Sequence, residues 1–467
     1  MNFSSVEFLF YFLPAFLAVY FASGRHNAVL LLGSAVFYAW GELRNAWALV
    51  ASLLGCYLCG LALQGSAGRP RARRLVLALG VVFQVLLLGA FKYLGFVIDS
   101  LAGVGIHAGL QRQDLPTLPV GISFFTFHAI SYLVDCFRGN TSVERSLFRL
   151  ANYLLLFPHL LAGPIVRYLS IRRQLVRRHW TVARLRFGLE LLVIGLAQKL
   201  LLANHLGATV DAIYALDRGA LSTGVAWLGA VGYAFQVYLD FSGYSHMALG
   251  LALLLGFSFP RNFNFPFRSR SVREFWRRWH ISLSSWLRDY VYQPLGGSRR
   301  GASRTMINTV VVFTLCGLWH GAGWTFVLWG TYNGVLIVLE RLALAQVTAR
   351  WPKFLQQGYA WLAFVVGVAM FRSQDMAQAT DFYAAMAGLT GAADSAPVLA
   401  RYLDGKTVTV LLLAGCSMLP LRDWIGGRHF VRPRFMVSRF VLLSVLLLLC
   451  AMTLAAGSHN PFLYFRF

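Results

Sequence analysis

His320 is the only basic or acidic side chain in the apolar stretch 305–339, where it lies between Trp319 and Gly321. An ionisable side chain within a membrane-length apolar run is costly to bury and usually has a function. A neutral imidazole is a proton acceptor that can be held there at low cost, and neutral is the form that a general base requires. We therefore predict that His320 removes the proton from a hydroxyl group while that oxygen attacks an activated acyl group. Its neighbours Trp319 and Gly321 are expected to give structural support to the path by which the reacting groups reach His320.

A second histidine, His280, lies in the arginine- and tryptophan-rich segment 261–304. Apolar residues recur there at three- and four-residue steps, which predicts one amphipathic helix at the cytoplasmic membrane interface, with His280 on its apolar flank. From that position His280 could orient an acyl carbonyl or stabilise its oxyanion. The arginines either bind a phosphorylated cytosolic donor, because guanidinium groups match phosphate oxygens, or anchor the helix to lipid headgroups. The candidate donor-binding residues are Arg273, Arg277, Arg278 and Trp279.

Asp240 also lies within an apolar run, 223–257. A carboxylate in a membrane helix must be paired or face water, and we expect the polar residues that follow Asp240 in the chain to satisfy it. Asp240 is therefore either structural support or a catalytic group, and structural support is the favoured role. Packing or polar contacts are expected of the other histidines in apolar surroundings: His128, His159, His205 and His246. The chain has no zinc-type cysteine pairs, Walker loop or serine-hydrolase elbow, so we predict no bound metal or cofactor.

The composition indicates the elements that must position these groups. The chain is 58% hydrophobic and 13% charged, with a mean hydropathy of +0.60. A bilayer core about 30 Å thick is crossed by about 20 apolar residues, and the chain offers many such runs. We predict an all-α, polytopic membrane protein with about eleven transmembrane helices in a single domain, 1–467. The net charge of +24 falls in arginine blocks between apolar runs, which indicates cytoplasmic loops and not nucleic-acid binding.

The segment 153–166 contains LFPHLLAGPIV, whose two prolines and glycine are incompatible with a straight helix. Irregular backbone at membrane depth persists only where protein or a water-filled cavity covers its polar groups. The segment is therefore either a re-entrant element beside a cavity or a kinked interfacial helix.

At these residues the chain resembles the membrane-bound O-acyltransferase (MBOAT) family, in particular its bacterial alginate O-acetylation branch. FWRRWHISLS and GLWHGA are the most specific segments, and FPHLLAGPIVR and YLDFSGYS extend the resemblance. The resemblance implies membrane helices around a central tunnel, with His320 at the catalytic histidine position and His280 at a second polar position. The chain departs from the family where His128, His159, His246 and Asn333 replace Gln, Gln, Asp and His.

The resemblance also implies a reaction. An acetyl group would pass from a cytosolic thioester, acetyl-CoA as co-substrate, across the bacterial inner membrane to an exported, alginate- or cellulose-like polysaccharide. Periplasmic or secreted partner proteins would complete the delivery. Two other functions stay open: a proton-coupled transporter or exporter, and an acyltransferase whose acceptor is a lipid or a protein. The transporter is disfavoured because the arginine-rich segment and LWHG each occur once, without symmetric halves.

The C-terminal residues PFLYFRF resemble the F-I-Y-x-x-F tail of small partner proteins in teichoic acid D-alanylation systems. A tyrosine hydroxyl is a competent acyl acceptor once a base removes its proton. Tyr464 is therefore either a transient acyl carrier or part of an aromatic belt that anchors the terminus.

Overall fold

The computed structural model describes residues 1–106, 109, 115–390, 396–418 and 436–457. All regular secondary structure in these ranges is helical, which confirms the all-α prediction. The chain forms two compact units: one contains Met1–Leu189 and Ala248–Pro260, and the other contains Glu190–Met247 and Arg261–Phe467. A single transmembrane domain over 1–467 stays a prediction.

Among the described residues, the first unit contains nine complete helices together with the start of α10 (Val182–Ala197) and the end of α12 (Thr223–Leu254). Their bounds are α1 Leu13–Ala22, α2 Asn27–Glu42, α3 Ala46–Gly65, α4 Pro70–Leu88, α5 Leu94–Ala102, α6 Ile122–Arg138, α7 Leu147–Leu154, α8 Phe157–Leu160 and α9 Tyr168–Val176. Two π-helical turns, Glu7–Phe12 and Gly89–Tyr93, precede α1 and α5.

The proline-containing segment of this unit is the irregular element that the sequence predicts. Its residues 156–166 are all buried, and only the four residues of α8 are helical. Two histidines satisfy part of its backbone: His128 Nε2 accepts the Val166 N–H at 3.2 Å, and His159 Nε2 donates to the Tyr153 carbonyl at 2.8 Å. The rings of His128 and His159 stack at 4.4 Å. Both histidines thus have the polar packing role expected of them.

The second unit contains the remaining helices and carries the arginine-rich segment and His320. The bounds are α10 Val182–Ala197, α11 Asn204–Tyr214, α12 Thr223–Leu254, α13 Val272–Arg278, α14 Ile281–Leu287, α15 Ala302–His320, α16 Trp324–Leu339, α17 Ala345–Thr348, α18 Lys353–Arg372, α19 Met376–Met386, α20 Ala396–Tyr402, α21 Gly405–Ser417 and α22 Met436–Ala455. The start of α10 and the end of α12 belong to the first unit. Between these helices lie π-helical turns at Gln198–Ala203, Arg288–Tyr292 and Glu340–Leu344 and 3₁₀ turns at Arg218–Ala220 and Pro266–Arg268.

Glycines bring α15 and α16 into close contact just before His320. A methyl group on Gly317 would collide with the carbonyl oxygen of Phe326, and one on Gly330 would collide with the carbonyl oxygen of Phe313. Only residues without a side chain allow two helix backbones to approach this closely. The position of His320, three residues after Gly317, is therefore fixed against α16.

Five helices in the described part of the chain are long and apolar enough to cross a membrane, which agrees with a multi-pass membrane protein. Two shorter apolar helices are Glu7–Ala22 and Gly405–Ser417. The total of about eleven spans stays a prediction. The five are Ala46–Gly65, Pro70–Ala102, Trp324–Thr348, Lys353–Arg372 and Val437–Ala455.

Candidate active site

His320 is the last residue of α15, and aromatic rings surround its imidazole. The ring centroids of Trp319, Trp329 and Phe371 lie 4.9, 5.3 and 5.4 Å from that of His320, at interplanar angles of 76°, 89° and 75°. His320 is 6% exposed, so the imidazole is withdrawn from bulk solvent. These contacts hold the ring in one orientation within an apolar environment, as a general base in a membrane requires.

His280 lies beside it, in a strained backbone conformation. The φ and ψ angles of His280 are 44° and 53°, a left-handed conformation that is uncommon outside glycine, asparagine and aspartate. Helix α13 ends at Arg278, two residues before His280, and His280 is the residue that precedes α14, so the single amphipathic helix predicted from the apolar spacing is wrong. The three- and four-residue spacing persists across the break because α13 and α14 each contribute one apolar face. Strain of this kind is found most often at functional sites.

The two histidines form the chemical centre of the site. Their ring centroids are 6.3 Å apart, which brings both imidazoles within reach of one small reacting group. His280 is 1% exposed, and neither of its ring nitrogens has a hydrogen-bond partner among the described residues. Buried polar atoms in folded proteins nearly always have partners. The ring of Phe241, 4.6 Å away, holds the His280 imidazole from the side.

A cavity of about 460 Å³ is lined by residues close in the chain to both histidines, such as Ile281 and Cys316, although neither His280 nor His320 lines it. Arg273, Arg277 and Arg288 line it together with apolar residues, among them Trp276 and Cys316. Cys316 precedes His320 by one turn of α15, so the apolar wall of the cavity ends close to the catalytic candidates. The cavity can therefore hold a molecule with an anionic part at its arginines and an apolar or thioester part toward His320.

Two of the four predicted donor-binding residues do not line this cavity. Arg278 donates to the Glu274 carboxylate at 2.9 Å and to the Asn264 carbonyl at 3.1 Å. Trp279 is 6% exposed and packs on the ring of Phe275 at 5.4 Å. Arg273 and Arg277, in contrast, form no ion pair with a described acidic residue.

The arginine-bearing helix α13 is fixed by Glu340, which the sequence did not single out, and by Asn333. The Glu340 carboxylate accepts the backbone N–H groups of Val272 and Arg273 at 2.6 and 3.0 Å. The Trp276 indole donates to Asn333 Oδ1 at 3.2 Å. Both acceptors belong to the helical segment that begins with α16. Glu340 ends the apolar run after His320, and a carboxylate there could have been predicted to pair with the positive end of a helix.

The N-terminal turn of α13 has a second carboxylate. Ser271 Oγ accepts the Glu274 N–H at 3.0 Å, and Glu274 accepts the N–H of Arg270, the residue before the N-cap, at 2.9 Å, which together form a variant of the capping box. Burial raises the pKa of the Glu274 carboxyl, but the hydrogen bonds from Arg270 and Arg278 hold that pKa below its usual range.

Asp240 is paired with a residue that the sequence reading missed. Its carboxylate lies 2.5 Å from Lys199 Nζ, and the two side chains are 1% and 3% exposed. The opposite charge is supplied by a lysine 41 positions earlier in the chain, and additional satisfaction by the polar residues that follow Asp240 stays a prediction. Lys199 also lies in an apolar run, so it too could have been recognised from the sequence as a charge that needs a partner. The neighbouring Gln198 binds His246 Nδ1 at 2.8 Å, and His205 contacts Thr407 at 3.3 Å.

Tyr464 lies outside the described residues. Trp319 lies against His320, as expected, and Gly321 begins the turn into α16, where a side chain would collide with the ring of Phe326.

The sequence matches a known protein family and several named proteins. The sequence model of the MBOAT, membrane-bound O-acyltransferase family, matches residues 115–374, which include both histidines and the whole cavity. The protein named "Probable alginate O-acetylase AlgI" of Pseudomonas putida is 37% identical over the full length of both chains. The peptidoglycan O-acetyltransferase of Helicobacter pylori is 30% identical over the full length of this chain and 97% of its own.

A more distant similarity covers part of the chain. The teichoic acid D-alanyltransferase of Bacillus subtilis is 29% identical over 47% of this chain and 58% of its own length. The proteins with these names all transfer acyl groups, and they differ in the polymer named.

Proposed function

This chain belongs to the membrane-bound O-acyltransferase family, and we propose that it transfers an acetyl group from a cytosolic thioester, acetyl-CoA, toward an exported polysaccharide. The observation that carries the proposal is the contact between two buried histidines, His280 and His320, beside an arginine-lined cavity. The relatives named for alginate and peptidoglycan O-acetylation support a polysaccharide as the final acceptor.

The proposed chemistry uses His320 as the base. Its neutral imidazole removes the proton of an acceptor hydroxyl while that oxygen attacks the thioester carbonyl carbon. A C–O bond forms, the C–S bond breaks, and the imidazolium returns the proton to the leaving thiolate. His280, in the tautomer that donates toward the carbonyl, stabilises the negative charge on the carbonyl oxygen. General base assistance contributes about 10²–10⁴-fold to such a step.

The donor is proposed to enter from the side of the arginines. Arg273 and Arg277 lie one helix turn apart at the cavity, and guanidinium groups bind phosphate oxygens through paired hydrogen bonds. Loops rich in arginine face the cytoplasm, where phosphorylated thioesters are available. The apolar wall formed by Trp276 and Cys316 suits the uncharged end that bears the acyl group.

The acceptor side is proposed to face the periplasm of a bacterial inner membrane. Periplasmic or secreted partner proteins would collect the acetyl group and pass it to the polysaccharide. Tyr464 is the proposed transient carrier, since a tyrosine hydroxyl accepts an acyl group once deprotonated. An adduct on Tyr464 after incubation with labelled donor, together with loss of activity in Tyr464→Phe, is the expected result. Full activity of Tyr464→Phe without an adduct would exclude the relay.

The proposal is tested by the acetyl content of the polysaccharide that cells export. Cells that carry the wild-type protein should export acetylated polymer, and cells that carry His320→Ala at equal protein level should export unmodified polymer. Transfer of label from acetyl-CoA in membrane vesicles would identify acetyl-CoA as the donor. Label found only on lipid or on membrane protein would favour a lipid or protein acceptor. Transport of a solute that does not require acetyl-CoA would favour the transporter or exporter.

A further inference from the structure

Two of the aromatic rings that contact His320 also contact each other. Trp329 and Phe371 contact the imidazole, and their own centroids are only 4.8 Å apart. Their side chains are 4% and 5% exposed. The two rings therefore form a continuous wall on one side of the reacting centre.

This wall is supported from behind. The ring of Phe326 lies 5.0 Å from that of Phe371, and the ring of Trp276 lies 5.6 Å from that of Trp329. Phe326 is itself held against Gly321, where even a methyl group would not fit. In a close-packed interior a ring cannot move aside without displacing its neighbours. An acyl chain that extends toward Trp329 and Phe371 could therefore lengthen only by displacing a supported ring.

We propose that Trp329 and Phe371 set the upper size limit of the acyl group, so that the site accepts acetyl and excludes longer chains. This inference rests on the proposed function and specifies its substrate. The geometry that carries it is the edge-on contact of both rings with His320 together with their contact with each other. A hydrophobic pocket distinguishes one methylene by a factor of about 10 to 200, so a wall that allows two carbons discriminates strongly against four.

The test compares two phenylalanines of the same helix. Phe371 and Phe364 both belong to α18 and are 5% and 6% exposed, but the described contacts of Phe364 are with Phe267, Phe275 and Trp279. Membrane vesicles that carry the full chain are supplied with acetyl-, propionyl- or butyryl-CoA. The rate of thiol release is measured above the background of His320→Ala vesicles.

Phe371→Ala should raise the ratio of butyryl to acetyl kcat/KM by at least about 10-fold. Phe364→Ala, which removes the same volume elsewhere in the core, should leave that ratio at the wild-type value. Trp329→Phe replaces the indole with a smaller ring and should raise the same ratio. This variant provides the test if Phe371→Ala does not fold. The size-limit inference would be overturned if the butyryl-to-acetyl ratio were unchanged in both Phe371→Ala and Trp329→Phe, or if the wild-type protein used butyryl-CoA as well as acetyl-CoA. Either result would leave the proposed function standing. A wild-type protein that releases no thiol from any of the three donors would overturn the proposed function as well.

Discussion

The backbone of His280 is held in its strained conformation by its neighbours in the chain. The Asn264 N–H donates to the Arg278 carbonyl at 3.0 Å, and the Ile281 N–H donates to the Asn262 carbonyl at 2.9 Å. These two hydrogen bonds bracket His280. Left-handed conformations cost a residue with a side chain about 1–2 kcal/mol, so the surrounding structure must determine this one. We infer that the conformation is maintained because it directs the imidazole toward His320.

Substitutions of His280 distinguish the effect of its strained backbone on stability from the effect of its imidazole on the acyl-transfer rate. His280→Gly should lower the acyl-transfer rate by about 10²–10³-fold, because the donor to the carbonyl oxygen is lost. Its stability should exceed that of His280→Ala by about 1 kcal/mol, since glycine adopts the left-handed conformation without strain. Thermal unfolding in detergent and transfer rates measure the two effects. Equal stability of the glycine and alanine variants would contradict the strained backbone.

The buried ion pair between Lys199 and Asp240 is expected to affect the stability of the protein. Both side chains are buried, and removal of one partner leaves an uncompensated charge. We expect Asp240→Asn to destabilise the protein by about 3–5 kcal/mol, and the double variant Lys199→Met, Asp240→Leu to recover most of that loss. The midpoint of thermal unfolding provides the comparison. A double variant as unstable as Asp240→Asn would show that the site needs the charges themselves.

Helix α13 depends on a carboxylate from another helical segment. Glu340→Gln keeps the size of the side chain but removes its charge, and hydrogen bonds to charged groups are the stronger ones. The donor KM should rise about threefold to tenfold with little change in kcat, because Arg273 and Arg277 lose their fixed position. Asp375→Asn is the matched control, since Asp375 caps α19 by accepting the Gln378 N–H at 2.8 Å, away from the cavity. An equal KM in both variants would exclude this role of Glu340.

The capping box of α13 predicts a pH dependence. The pKa of Glu274 is lower in the folded protein than its usual value, so its contribution to stability is present above the unfolded pKa of about 4.3 and lost as pH falls through the folded pKa. Glu274→Gln should therefore be less stable than wild type at pH 7, by about 0.5 kcal/mol for a partly exposed i,i+4 pair of this kind. The difference should disappear between about pH 5 and pH 3. A constant difference across that range would contradict the assignment.

The helical elements differ in how well the sequence predicts them. Long apolar runs such as 223–257 correspond to real helices because burial requires one continuous apolar segment. The segment 261–304 shows where periodicity fails, because the spacing of its tryptophans continues through the break at His280. A left-handed histidine has no sequence signal of its own. The π-helical turn that carries Lys199 is likewise set by tertiary contacts.

Across the molecule, sequence chemistry singled out the polar candidates for the site but not the aromatic rings around them. His320, His280, Arg273 and Arg277 could be predicted because charged or polar groups in apolar surroundings need a reason. Phe371 could not be predicted, since a phenylalanine in an apolar helix is unremarkable until the fold brings it to His320, 51 positions earlier in the chain. Lys199 could be recognised from the sequence as a charge in an apolar run, but its pairing with Asp240 could be known only from the structure.

The most direct test of the account is acetyl transfer by protein altered at one imidazole. Membrane vesicles that carry the protein are supplied with labelled acetyl-CoA. The transfer rate of His320→Ala should be at least about 10²-fold below that of the wild type. His205→Gln, which alters another histidine of the same unit, should retain that rate. Retention of the wild-type rate by His320→Ala, at equal protein level, would contradict the assignment of His320 as the base.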